Sequence, residues 1–292
     1  MVEGSEFGCR MAQPIPEFGK AVFFHEAGET LHFYLEADSP RMKSGRAAVK
    51  IINPIWKPDG KARSLGYVDV RQDQSSIDIE EKLANKMLQE LYAGQQVQFS
   101  RQSWYDAAQT VSVAISNVNF RAAYDQYVTC LADLLPVNLA QIERTSLVFK
   151  PGQELLSDKE TDFLDDILVY VDADKTIQSF YIDGHSDSQG TRSENLETSK
   201  RRAEKVMKYL VAGGIERDKI VLRWHGERYP VASNRTAAGR AQNRRVTVRL
   251  SKEPAPQMPE IQTAVAGNAI DTEALKEALG EPPKKVPPTI AP

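Results

Sequence analysis

Between residues 140 and 250 strand-like and helix-like stretches alternate, and no other feature limits the fold as tightly. TSLVF at 145–149 is β-branched and aromatic and runs into the turn-forming KPGQ. SDKE at 157–160 has the spacing of a capping box, with Ser157 as the cap and Glu160 reaching back. Leu164, Ile167, Leu168 and Val171 follow at helical spacing. IQSFYIDG at 177–184 reads as a strand. Ala203, Val206, Met207 and Leu210 form a second helical stripe, stopped by Gly213 and Gly214. KIVLRWHG and VTVRL alternate as strands, with a possible helix in GRAQNRR between them. The order βαβαβ(α)β requires helices packed on a sheet.

Residues 9–139 follow another pattern. ETLHFYLEA, AAVKIINPIW, LGYVDVRQ, QQVQFS and TVSVAIS are short strand candidates separated by turns. EEKLANKMLQELYAG and YDQYVTCLADLL read as helices. The expectation is an α+β chain: a mainly antiparallel β domain with a few helices over 9–139, then a second domain over 140–250. Residues 251–292 hold eight of the sixteen prolines and no aromatic residue, so they are expected to be disordered, with a transient helix at DTEALKEAL. The opening MVEGSEF resembles a cloning remnant, and residues 1–8 are expected to stand outside the fold.

Charge excludes some partners. Residues 1–150 carry 16 basic and 18 acidic side chains, residues 151–250 carry 17 and 16, and the tail carries 4 and 6. No region has the basic excess of a nucleic-acid binder. No run reaches the ~18–20 apolar residues that span a bilayer. Phosphate-binding glycine loops, HExxH and GxSxG are absent, and His25, His32, His185 and His225 are scattered. Neither an enzyme, nor a cofactor, nor a metal is expected. Cys9 and Cys130 fit no CxxC motif. They are two independent thiols, a disulfide of an oxidising compartment, or a bystander and a lipid-modified Cys9.

GHSDSQGTRSENLETSKRRA at 184–203 carries the candidate chemistry. Strand exits and helix starts hold ligands because backbone N–H groups are free there. Asp187 in the turn would accept from an ammonium. Arg202 would fork onto a carboxylate, which lysine cannot do. Arg202 precedes Val206 by four residues, so it is expected at the rim of the apolar stripe, anchored by packing with its head free.

The run GHSDSQG…N…S..RRAEKVMKYLVAGGI…KIVLRWHGERYP…N…GRAQNRRVTVRL resembles the OmpA-like peptidoglycan-binding domain. The resemblance implies that Asp187 and Arg202 hold diaminopimelate of the stem peptide, whose free ammonium and carboxylate share one carbon. Ser186, Asn195 and Val206 complete the implied set, and Asn243, Arg244 and Arg245 match the closing NRRV. Ser186 stands where threonine is usual and Thr198 where leucine is usual.

QPIPEFGKAVF, PIWKPDG, FSRQSWYDAAQTVSVAISNVNF and YDQYVTCLADLL, followed by that domain, resemble the MotY family of flagellar motor proteins. This implies one Cys9–Cys130 disulfide, a periplasmic location in the T ring of the basal body, a MotX-like partner and a MotA/MotB-type stator. Residues 9–139 would dock on the basal body and residues 140–250 would hold the wall. The alternative is a general outer-membrane-to-wall tether, lipidated through Cys9.

Overall fold

The computed structural model describes residues 1–57, 60–73 and 75–256. The chain divides into two compact units, one running from Met1 to Pro136 and the next beginning at Val137.

The first unit contains β1 (Val2–Ser5), β2 (Gly8–Ile15), β3 (Gly19–Glu26), β4 (His32–Ala37), β5 (Gly45–Ile52), β6 (Arg63–Val70), β7 (Ser75–Ile79), α1 (Glu81–Tyr92), β8 (Gln96–Gln102), β9 (Thr110–Ile115) and α2 (Phe120–Leu131). The strands form one antiparallel sheet in the order β1-β2-β3-β4-β7-β6-β5-β8-β9. Alternation puts Phe33 and Leu35, Val49 and Ile51, and Val97 and Phe99 inside. Phe33 and Phe99 stack at 5.7 Å, and Phe120 of α2 meets Phe23 edge-on.

The two ends of this sheet approach each other. The Gln13 carboxamide of β2 donates to the Ser116 carbonyl (3.1 Å) and accepts from the Ser116 N–H (2.8 Å), just beyond β9. One side chain thus makes the bond pair that a neighbouring strand would supply.

Cys9 of β2 is bonded to Cys130 of α2. The bond consumes the thiol that lipid attachment at Cys9 would need. Residues 1–8, expected outside the fold, belong to it. β1 pairs with β2, and a β-carbon added at Gly4 would overlap the Cys130 sulfur.

The second unit contains α3 (Leu139–Ile142), β10 (Arg144–Val148), α4 (Asp158–Ala173), β11 (Ser179–Gly184), α5 (Arg192–Ala212), β12 (Ile220–Trp224), α6 (Ala237–Asn243) and β13 (Arg245–Ser251). The sheet order is β10-β13-β11-β12. β11 and β12 are parallel, and β13 runs antiparallel to both β10 and β11, so the sheet is mixed. α4 starts in the expected capping box, with Glu160 accepting from the Ser157 N–H at 3.2 Å. Leu164 and Ile167 of α4 and Ala203, Val206 and Leu210 of α5 are buried, as are Leu147, Phe180, Ile182, Val246 and Val248 of the strands.

Register brings four chain segments to one end of this sheet. Val246 lies opposite both Leu147 and Gly184, and Gly184 opposite Trp224. The exits of β10, β11 and β12 and the entry of β13 therefore share one edge. Most of the expected tail, including the helix at 271–279, lies outside the described residues.

Candidate functional site

β11 ends at Gly184, where α5 packs directly on the backbone: a β-carbon there would overlap the Ser199 carbonyl oxygen. The chain then turns through His185–Gly190. The Ser186 N–H donates to the Gly226 carbonyl at 2.9 Å, tying this loop to the exit of β12. Gly190 has φ +92°, a conformation that side chains disfavour. Thr191 then caps α5, and Glu194 returns a bond to the Thr191 N–H at 2.8 Å.

Asp187 is 6% exposed. Its Oδ1 accepts from the Gln189 N–H at 3.1 Å, the local turn bond expected of such an aspartate. Its Oδ2 accepts from Arg244 Nη1 at 2.7 Å, a buried ion pair. Arg244 also donates Nε to the Phe149 carbonyl at 3.0 Å. A loop after β11, the entry of β13 and the exit of β10 are joined by this one guanidinium.

Arg202 stands in a different place from that expected. It is 2% exposed, with its guanidinium 5.1 Å from the Phe149 ring centre and Nε donating to the Gln153 carbonyl at 3.0 Å. No carboxylate among the described residues forms an ion pair with it. Burial, and next the charge of Arg244, lower its pKa from the ordinary guanidinium value, against the opposing pull of Asp187 and Glu154. Arginine nonetheless stays protonated. The cluster holds two buried cations and one carboxylate, a surplus of one positive charge.

The remaining members of the expected set divide. The Ser186 hydroxyl is buried and, among the described residues, without a hydrogen-bond partner. Asn195 donates Nδ2 to Glu227 at 2.7 Å, bridging α5 to the loop after β12. Val206 has no exposed surface and packs in the core. It lies one helical turn from Arg202 on α5 and supports the helix that carries it.

Sequence reasoning did not give Phe149, Gln153 or Glu227 a part. Arg244 was visible as a member of NRRV, with no indication that it holds Asp187. Asn243 of that motif is fully buried. It accepts from the N–H groups of Val231 (2.8 Å) and Ala232 (3.1 Å) and donates to the Ala232 carbonyl and to Asn234 Oδ1 (both 2.8 Å).

Residues 1–136 match the MotY N-terminal domain, and residues 148–244 match the OmpA family. The chain joins a MotY N-terminal domain to an OmpA-family domain. The pairing extends to a whole relative: the sodium-type flagellar protein MotY of Vibrio parahaemolyticus is 29% identical over 254 residues, which cover 86% of each chain. Outer membrane protein A of Bordetella avium is 46% identical over 67 residues, 23% of this chain and 34% of that protein. Among solved structures, the peptidoglycan-associated lipoprotein from Burkholderia pseudomallei matches with a TM-score of 0.35 and 26% identity, over 36% of this chain and 89% of that one. The segment matched to the OmpA family contains Phe149, Gln153, Asp187, Arg202 and Arg244, so the charge cluster lies wholly inside the OmpA-family domain.

Proposed function

We propose that this protein is a non-enzymatic anchor of the flagellar motor in the periplasm. Its OmpA-family domain grips peptidoglycan, and its MotY N-terminal domain docks on the basal body, beside a MotX-like T-ring partner, and helps retain MotA/MotB-type stator units. The kinship with a flagellar protein of both domains supports the motor assignment. It also favours this reading over a general outer-membrane-to-wall tether.

The observation that carries the wall-binding reading is Arg202. A guanidinium this deeply buried, without a carboxylate partner among the described residues, is costly to keep. A ligand carboxylate arriving against it would supply the missing counter-charge. Because Nε is committed to Gln153, the fork would be made end-on by the two Nη groups. Asp187 keeps lone pairs beyond those taken by Arg244 and Gln189, and these would accept from an ammonium. One carbon bearing both groups, as in diaminopimelate, satisfies both demands.

The deciding experiment is co-sedimentation with purified peptidoglycan, with a lysine-containing wall as control, since its stem peptide lacks the second carboxylate. Pelleting with the diaminopimelate wall alone is expected; equal pelleting with both would sink the zwitterion reading. Deletion of the gene is expected to impair swimming, and the protein is expected at the flagellar base. A deletion strain that swims normally, together with a diffuse distribution of the protein in cells that make it, would remove the motor assignment.

A further inference from the structure

Past the exit of β12 the chain raises an exposed ridge. Tyr229 is 60% and Val231 61% exposed, with Pro230 between them also exposed. Exposed apolar side chains that are contiguous, as these three are, mark interaction sites more than singly scattered ones do. The ridge is also well anchored. The Tyr229 ring stands edge-on to His225 at 5.2 Å, and its carbonyl accepts from Arg245 at 3.2 Å. Buried Asn243 fixes the backbone of Val231 and Ala232, and Asn234 Oδ1 accepts from the Ser188 N–H at 3.3 Å, in the loop that carries Asp187. An aromatic held in place and exposed loses little freedom on binding.

Resting on the peptidoglycan reading, we propose that Tyr229 is a sugar platform: the apolar C–H face of a glycan residue packs on its ring while the peptide on that sugar enters the charge cluster. Reach supports the pairing. Ser186 and Gly226 are hydrogen-bonded, and Tyr229 lies three residues beyond Gly226, at most about 10 Å of chain. Diaminopimelate is the third residue of a stem whose first residue is attached to muramic acid, a similar span of roughly 10 Å. Polar groups for hydroxyl and acetamido groups lie on the same loop, in Glu227 and exposed Arg228.

The test compares two soluble probes by calorimetry: N-acetylmuramyl-tripeptide containing diaminopimelate, and the same tripeptide without sugar. The wild-type chain is expected to bind the sugar-bearing probe at least fivefold more tightly. Tyr229→Ala should abolish that preference and leave free tripeptide affinity unchanged, while Tyr229→Phe, which keeps the ring face, should retain it. Unchanged melting of Tyr229→Ala excludes misfolding. Equal binding of both probes by wild type, or an undiminished preference in Tyr229→Ala, overturns the platform. If wild type binds neither probe, the peptidoglycan reading fails and the platform falls with it.

Discussion

Arg244 Nη1 lies 2.7 Å from Asp187 Oδ2, and both side chains are buried, so the acid proposed to receive the ligand is also a structural partner. Asp187→Asn therefore strands a buried guanidinium. Breaking such a pair costs about 3–5 kcal/mol. The asparagine oxygen still accepts a bond, which puts the expectation near the lower figure. Both melting temperature and wall binding are expected to fall. A double-mutant cycle with Arg244→Met should show coupling of at least about 1.5 kcal/mol in chemical denaturation. Additive losses would mean that the pair is incidental.

Arg202 predicts the opposite signature. Its charge lowers stability where it stands, because burial and the nearby Arg244 both oppose it. Arg202→Met keeps most of the volume against Phe149 and removes the charge. Thermal stability should hold or rise, since apolar replacements of buried charges are often neutral or stabilising. Peptidoglycan binding should drop at least tenfold in co-sedimentation. A variant that binds normally removes Arg202 from the site. One that melts well below wild type makes it a structural residue.

How much of this was legible in the sequence depends on the distance over which residues cooperate. Asp187 and Arg202 are fifteen apart, and the turn and helix between them follow from local signals. Arg244 comes 57 residues after Asp187. Its pairing depends on β13 inserting between β10 and β11, which no local pattern encodes. β3 is hidden for a different reason: Ala21, Val22 and Phe23 are all buried, so the strand shows no alternation. Arg202 was expected at a rim because long charged side chains usually snorkel. Phe149 and the Gln153 carbonyl, supplied by a different element, draw it inward instead.

Gly184 is fixed by packing alone. A β-carbon would overlap Ser199 of α5, whose hydroxyl also accepts from the Gly226 N–H at 3.0 Å. Gly184→Ala should push the helix carrying Arg202 away from the sheet, at a cost of about 1–3 kcal/mol. Urea titration measures the loss, and wall binding should weaken with it. An alanine variant of wild-type stability would show that α5 does not rest on β11 there.

The disulfide ties β2 to α2 across 121 residues of chain. Cys9→Ser should destabilise the MotY N-terminal domain by roughly 2–5 kcal/mol. The OmpA-family domain has its own core, so its calorimetric transition should stay in place. Thiol labelling of denatured, unreduced native protein should find no free cysteine. A shift in both transitions, or two free thiols, would contradict this arrangement.

Acid should loosen the OmpA-family domain through His185. Its ring is buried, stacked at 5.0 Å on His225, and its Nδ1 is without a partner among the described residues. Burial first, then Arg245 and His225, push its pKa down to about 4, against the pull of Asp183. In the unfolded chain a histidine titrates near 6.5, so between those values the unfolded state binds more protons. Stability is then fully present above about pH 6.5 and declines as pH falls towards 4, by an amount on the order of 3 kcal/mol. Asp183 acts in a lower window. Burial alone would raise its pKa, but bonds from Arg223 and His225 bring it below the ordinary carboxylate value. Its contribution is lost only at more acid pH. His185→Gln should therefore flatten the stability profile between pH 6.5 and 4 and leave the steeper fall below it. A slope unchanged by that substitution would assign the acid sensitivity to another group.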